Sequence, residues 1–477
     1  MINKPPSYFV SRVTTLIAAS ILTACAVGSD YQLPVTATPD SFSEGTQPEF
    51  SNKAVEVTWW QLFKDRQLSN LVDETIKHNH GLQAASANLR EARALYLEAG
   101  LNLAPTVTTH GNYTDQLRSA GALNNKTFVP RDLKLYSAGF DAVWELDLFG
   151  RVRRNIEASN DEVEIQEASL RDVRISSIAE VARNYFSLRG LQNQLAVIKK
   201  NVEIQTQTLE ITEARVKKGR GTELDSSEAA AQLDTTRSTI PSVETAISEA
   251  LHRLSVLTGQ LPNALTAKLS HALPIPKLPE IITLGSPAQL LRRRPDVRMV
   301  ERRLAASTAR IGVATAELFP KVTFVGSVSL EASSLSGFGA AGSGAYSLGP
   351  RISWAAFDLG RVYARIKAAD ARAEADLANY EQTVLNVLEE TENALVSYNK
   401  ARVKQDLLAS AVKSSLKAHE LAQLRFNAGA TDFLTVLVSQ LRLLLNQSQL
   451  AQTQTDTATA LVSVYKALGG GWELVAH

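Results

Sequence analysis

Apolar residues recur at two periods along this chain. Between Tyr136 and Leu146 every second residue is apolar: Tyr136, Ala138, Phe140, Ala142, Trp144 and Leu146. Ser137, Gly139, Asp141 and Glu145 fall between most of them. Val322, Phe324, Val328 and Leu330 alternate with Thr323, Ser327 and Ser329 in the same way. So do Tyr346, Leu348, Ile352 and Trp354 with Ser347, Gly349, Arg351 and Ser353. A period of two predicts strands with one apolar and one polar face, over about 135–147, 320–330 and 346–356. A weaker one is predicted over about 105–115, with Val107 and Tyr113 on one face and His110 and Asn112 on the other.

The second period is helical. From Gly150 to Lys217 there is no proline, and Gly190 is the one glycine inside the run. A helix of that span is about 100 Å long at about 1.5 Å per residue. Leu188, Leu195, Val202, Leu209 and Val216 lie seven apart, with Leu191 and Ile198 at the companion position. That heptad predicts coiled-coil packing. A matching helix is predicted over about 358–427, with shorter ones over about 70–102, 222–258, 287–317 and 431–467. The two short helices of each half sum to roughly the length of the long one, which predicts end-to-end stacking beside it.

The chain is written twice. Tyr136-Ser137 and Gly139 recur as Tyr346-Ser347 and Gly349, 210 positions on. At the same offset Trp144 maps to Trp354, Gly150-Arg151-Val152 to Gly360-Arg361-Val362, Arg215 to Arg425, Gly219 to Gly429 and Gly259 to Gly469. Such a long offset indicates duplicated architecture, not a short-period solenoid. The predicted organisation is a signal segment (1–24), an N-terminal extension (25–69), repeat 1 (70–259), a proline-rich connector (260–286), repeat 2 (287–469) and a tail (470–477).

The first residues read as an address. Lys4 and Arg12 precede the apolar, small-residue stretch Val13–Ala24, too short to span a bilayer. Leu22-Thr23-Ala24-Cys25 resembles a bacterial lipobox, which predicts lipidation of Cys25, the one cysteine in the chain. By the same resemblance, Ala26 after the cysteine favours the outer membrane. After Cys25 no apolar run is long enough for a transmembrane helix, so a membrane-crossing part must be built from strands. Four strands are too few to close, since transmembrane barrels start at about eight. A barrel would have to be shared between copies, and the pattern does not choose between two, three and four.

Composition removes other classes. Fifty basic residues against 49 acidic ones leave a net charge of +1, without the basic excess of a nucleic-acid binder. One cysteine excludes a disulfide framework and a cysteine zinc cluster. No HExxH, GxSxG or P-loop occurs, so no catalytic residue, metal ligand or cofactor is assigned. Gly337–Gly342 matches GxGxxG, but an alternating strand follows it where a dinucleotide site needs a helix. Arg292 to Arg294, with Arg298, Arg302 and Arg303, read as structural or solvated, and Trp59 and Trp60 as packing anchors.

Several stretches together resemble one family. They are Trp59–Asp65, Asn79–Leu82, Trp144–Arg151, Arg292–Arg298, Glu317–Pro320 and Phe357–Arg361. The chain is similar to outer-membrane efflux lipoproteins of the TolC-like family, in particular the outer channels of resistance–nodulation–division (RND) pumps. The resemblance covers essentially the whole mature chain. It implies a fold that is mainly α with a membrane β-barrel. It also implies a homotrimer sharing a 12-strand barrel plus a 12-helix periplasmic α-barrel. The implied partners are a periplasmic adaptor, an inner-membrane RND transporter and outer-membrane lipid. The implied function is passive export of drugs or other small toxic solutes, with no enzymatic activity.

The resemblance also implies site residues. The turns Gly219, Arg220, Gly221 and Thr222, and Gly429, Ala430 and Thr431, match the surfaces that meet adaptor tips. Leu434 fits the leucine of the family's constricting helix. The acidic place one turn later falls on Val438, so no acidic ring is expected there. Asp225, Glu228 and Asp432 remain as candidates for charge near the mouth, which would favour cations; outward solvation is the other reading. Two further functions stay open: the outer channel of a metal-ion or ABC-type export system, and a lipid-anchored coiled-coil scaffold without a pore.

Overall fold

The computed structural model describes residues 26–45, 47–51, 53–121 and 130–472. The signal segment, Cys25 and its lipidation lie outside the described residues. The protein is mainly helical. In chain order the elements are strand β1 (Phe50–Ser51), helices α1 (Arg66–His78) and α2 (His80–Leu101), and strands β2 (Thr106–Leu117) and β3 (Asp132–Leu146). Next come α3 (Arg151–Lys217), α4 (Glu223–Ser238), α5 (Ile240–Leu257), α6 (Thr266–Leu269), β4 (Ile282–Thr283), α7 (Pro287–Arg293) and α8 (Pro295–Ala316). The chain closes with β5 (Lys321–Ala332), β6 (Gly344–Ser353), α9 (Leu359–Asn427) and α10 (Phe433–Ala467).

Four features differ from the sequence pattern: the helix expected over about 287–317 breaks at Arg294, which is extended before Pro295, and three more follow. One helix was expected over about 70–102, but Asn79 is extended and separates α1 from α2. Its side chain donates to Leu257 O (2.9 Å) and accepts from Leu82 N (3.2 Å), which compensates for the interrupted ladder. The run 222–258 also breaks, at Thr239, where Pro241 sits in the first turn of α5 and cannot donate back into α4. The N-terminal extension and the connector pair with each other as the parallel strands β1 and β4.

The four long strands form one antiparallel sheet in the order β2-β3-β5-β6. The expected 12-strand barrel and 12-helix barrel are overturned as a description of this fold. No sheet among the described residues closes on itself, and β2 and β6 each have one unpaired edge. Four strands curl too little to meet, far below the about eight that closure needs. No helix among the described residues is long and apolar enough to cross a membrane.

Two compact units can be described. Of the described residues the first comprises 26–35, 88–121, 130–166 and 299–380 and contains the sheet. Register gives that sheet two distinct faces. Val107, Phe140, Phe324, Val328, Leu348 and Ile352 lie on one, and Thr108, Asp141, Thr323, Ser327 and Ser347 on the other. At the base of the sheet the two halves repeat one device. Trp144 Nε1 donates to Leu103 O and Trp354 Nε1 to Leu318 O, each at 2.9 Å. Phe149 stacks on Phe319 at 4.5 Å.

In the same unit Arg302 sits in an acidic nest. It donates to Asp161 at 3.2 Å and to Glu301, lies 3.8 Å from Glu164, and stands over the Tyr31 ring at 5.2 Å. Burial pushes the Asp161 carboxyl up to about 6, against the pull of Arg302. The folded state therefore holds a proton that the unfolded chain releases near its ordinary 3.8. The contribution of this group to stability rises as pH falls from above 6 towards 3.8. Asp161→Asn should flatten that part of the pH profile of thermal unfolding, followed by circular dichroism. An unchanged profile would discount the assignment.

The second unit comprises 36–87, 167–298 and 381–472 of the described residues. Its core is aromatic. Trp59 stacks on Tyr465 at 5.0 Å, and Phe63 packs on Phe186 at 4.8 Å. Arg189 is fully buried and donates to Gln192, to Gln67 and to His271 O (2.9 Å), which fastens the connector to α3. The heptad residues Leu195, Val202, Leu209 and Val216 are only half-buried, whereas the polar Asn201, Gln205 and Thr212 are buried. A single chain therefore leaves part of its apolar seam uncovered.

Candidate functional site: the helical turns and the start of α10

Each long helix ends in the same way. Gly219 has φ +68° and Gly429 φ +75°, a left-handed conformation that costs other residues about 1–2 kcal/mol. Arg220 N donates to Arg215 O (2.9 Å) and Gly219 N to Val216 O (2.9 Å). Ala430 N to Arg425 O (2.8 Å) and Gly429 N to Phe426 O (3.0 Å) repeat the pattern. These paired bonds satisfy the last carbonyls of α3 and α9. A Cβ added at either glycine would meet nothing within 4 Å, so the backbone angle, not crowding, requires glycine there.

The next helices start on caps built from the residues singled out for charge. Thr222 Oγ1 accepts from Asp225 N (3.2 Å), and Thr222 N donates to Asp225 Oδ2 (3.0 Å). Asp432 caps α10, accepting from Thr435 N (3.0 Å) and Thr435 Oγ1 (2.5 Å). Those bonds hold its carboxyl below the usual carboxylate range. Thr431 Oγ1 donates to Thr435 Oγ1 (3.1 Å). Two of the three candidate acids are thus occupied in holding helix starts. Glu228 is half-buried, with no ion-pair partner among the described residues.

A small core joins the two turns. Ala229, Phe433 and Leu437 are buried together, with Leu209 and Phe426 against them. Arg215 stands over the Phe426 ring at 4.1 Å. Sequence reasoning missed this contact, although Arg215 and Arg425 had marked the repeat. Leu434 and Val438 fall on the other side of α10, both about half exposed. They continue into exposed Leu441 and Leu445, which the sequence pattern did not single out. The spacing of four, three and four makes one apolar stripe, separate from the buried Phe433 and Leu437 face.

These observations define a class. The chain carries a sheet with one apolar and one polar face and long glycine-capped helices, in two sequence repeats, and no helix among the described residues is long and apolar enough to cross a membrane. Comparison with known proteins agrees. A family model described as outer membrane efflux protein matches residues 71–260 and 286–470, and the chain belongs to that family. Outer membrane protein OprJ of Pseudomonas aeruginosa is 30% identical, over 98% of this chain and 98% of OprJ. Cation efflux system protein CusC of Escherichia coli is 29% identical, over 97% of this chain and 99% of CusC. The solved structure of the outer-membrane channel OprN superposes with a TM-score of 0.88 at 38% identity. That match covers 94% of this chain and all of that one. The chain is an outer-membrane efflux channel acting within a tripartite system, and not an enzyme.

Proposed function

We propose that the chain works as a homotrimer, anchored by lipid at Cys25 and extending into the periplasm. It passes drugs or other small toxic solutes outward from an inner-membrane RND transporter through a periplasmic adaptor. The observation that carries this reading is the set of uncovered surfaces. Among the described residues the apolar sheet face has no cover and β2 and β6 have free edges, while α9 exposes Leu385, Val403, Leu407, Leu421 and Leu424. An open edge in hydrocarbon leaves backbone groups unsatisfied at several kcal/mol each, so neighbouring copies must meet there. Three is the number that the family resemblance implies. The turns 219–222 and 429–431 are the adaptor contact, with their backbone set by Gly219 and Gly429.

Sedimentation of the mature protein in density-matched detergent should give a trimer; a stable monomer would overturn the assembly. The same preparation should show discrete openings in planar bilayers, and none under any condition would favour the scaffold. Leu434→Ala, at the stripe on α10, should raise single-channel current if that stripe narrows the path. Unchanged current would remove the gate from that position. Gly219→Val with Gly429→Val should weaken co-purification with the adaptor while the trimer persists; full retention would move the contact elsewhere. Likeness to the cation efflux protein CusC favours a second reading, metal-cation export. Sensitivity of a strain lacking the gene to metal salts, with unchanged sensitivity to organic toxicants, would select it.

A further inference from the structure

The sheet's polar face is not electrically uniform. Midway along it one charge pair is matched. His110 lies 2.8 Å from Asp141. At the end nearest the helices the balance fails. Glu145 Oε1 accepts from Arg151 Nε at 2.8 Å, while Glu145 Oε2 accepts from Arg151 Nη2 at 2.6 Å and lies 2.8 Å from Lys321 Nζ. One carboxylate therefore serves two cations. Arg351 stands in the same row of the sheet, since Glu145 pairs with Thr323 and Thr323 with Arg351. It has no acidic partner among the described residues and is exposed. Lys321 is its diagonal neighbour on the same face, because Lys321 pairs with Ser353.

Glu145, Arg151, Lys321 and Arg351 all line one cleft of about 630 Å3. Its wall carries three cations against one carboxylate; Asp147 and Glu317 beside it also attract Arg151, so the excess positive charge sits at Lys321 and Arg351. Placing like charges on neighbouring strand positions costs stability. The cleft has the volume of a small-molecule site, and Thr106, Thr323 and Ser353 add hydroxyls to its wall.

We propose that this cleft is an anion-binding station, formed by Lys321, Arg351 and Arg151 around Glu145, for solutes bearing carboxylate or phosphate groups. It deepens the proposed function, because it rests on the polar face lining the water path. It selects anionic and zwitterionic molecules among the exported solutes. The forked guanidinium of Arg351 suits a carboxylate or phosphate, and Lys321 adds a point charge beside it.

The test is calorimetric titration of the full-length protein in detergent with inorganic pyrophosphate, at low ionic strength to limit screening. Saturable binding is expected. Lys321→Gln and Arg351→Gln should each weaken it about tenfold or more, the worth of one charged hydrogen bond. Glu145→Gln, which removes the one negative charge, should tighten binding. Were Glu145 only a scaffold for its two cations, the same change would weaken it. Lys134→Gln, at the other end of β3, should leave it unchanged. No saturable binding, or binding that survives the Lys321→Gln/Arg351→Gln double variant, overturns the station. Bilayer recordings keep the two failures apart. Openings without pyrophosphate binding remove the station and leave the channel, and binding without openings does the reverse.

Discussion

Gly190→Ala is expected to destabilise the protein by about 1–3 kcal/mol, the cost of overpacking a close contact. The sign is the point. In an ordinary helix the same change gains about 1 kcal/mol, because glycine is a poor helix former. Here a Cβ on residue 190 would stand 1.9 Å from Thr455 Oγ1, 2.7 Å from its Cγ2 and 2.8 Å from its Cβ. Turning the Thr455 side chain moves the first two atoms but not the third. Helices α3 and α10 must therefore separate. Thr455 is buried and its hydroxyl donates to Ala451 O at 3.1 Å, which further restricts it. Second-site changes distinguish this cause from a general loss of packing. Thr455→Ala keeps the Cβ and should recover only part of the loss in the Gly190→Ala background. Thr455→Gly removes every clashing atom and should recover more, less its own helix cost of about 1 kcal/mol. Urea unfolding followed by circular dichroism measures all four proteins. A Gly190→Ala variant at least as stable as the parent would refute the close crossing.

Gly190 also shows what the sequence makes legible. It stood out as the one glycine inside a proline-free run, but its partner lies on α10, and the register between the two helices is not written in either. The same division holds elsewhere. Period-two alternation separated Phe140, Val328 and Leu348 from Asp141, Ser327 and Ser347, because face is a local property of a strand. The repeat offset located both turns, because Gly219 and Gly429 answer a local backbone demand. Closure of the sheet is not local. Four strands cannot reach it, and the barrel expected from family likeness is absent from this fold. The acids of the mouth misled for a related reason. Asp225 lies in the first turn of α4 and Asp432 just before α10, where a carboxylate is as useful for capping as for meeting solutes. Only geometry showed that both accept backbone N–H groups. Strands β1 and β4, two residues each, carry no periodic signal at all.

Arg294→Met should cost about 3–5 kcal/mol, the range for breaking a buried ion pair from one side. The guanidinium is nearly buried and fully used. Nε and Nη2 donate to Asp296 at 2.9 and 2.6 Å, Nη2 also to Glu390 at 2.8 Å, and Nη1 to Ala467 O at 2.8 Å. Burial works against its charge, yet hydrogen bonding to Asp296 and the charges of Asp296 and Glu390 hold it more firmly protonated than a free arginine. Position explains why the bond set matters. Pro295 forces residue 294 out of helical geometry, which separates α7 from α8. The side chain at that joint then reaches α9 through Glu390 and the last turn of α10 through Ala467. Methionine fills similar space but leaves two carboxylates and a carbonyl without their donor. Lys466, 3.4 Å from Glu390, can compensate one of them. Arg294→Lys should fall between, because one ammonium cannot reproduce the fork to Asp296. Adding Asp296→Leu to Arg294→Met should recover part of the loss, since removing both members of a buried pair is often close to neutral. Resistance to trypsin and the urea midpoint give the readout. If Arg294→Met stays within about 0.5 kcal/mol of the parent, as exposed substitutions do, the arginine is solvated and the joint is held by packing alone.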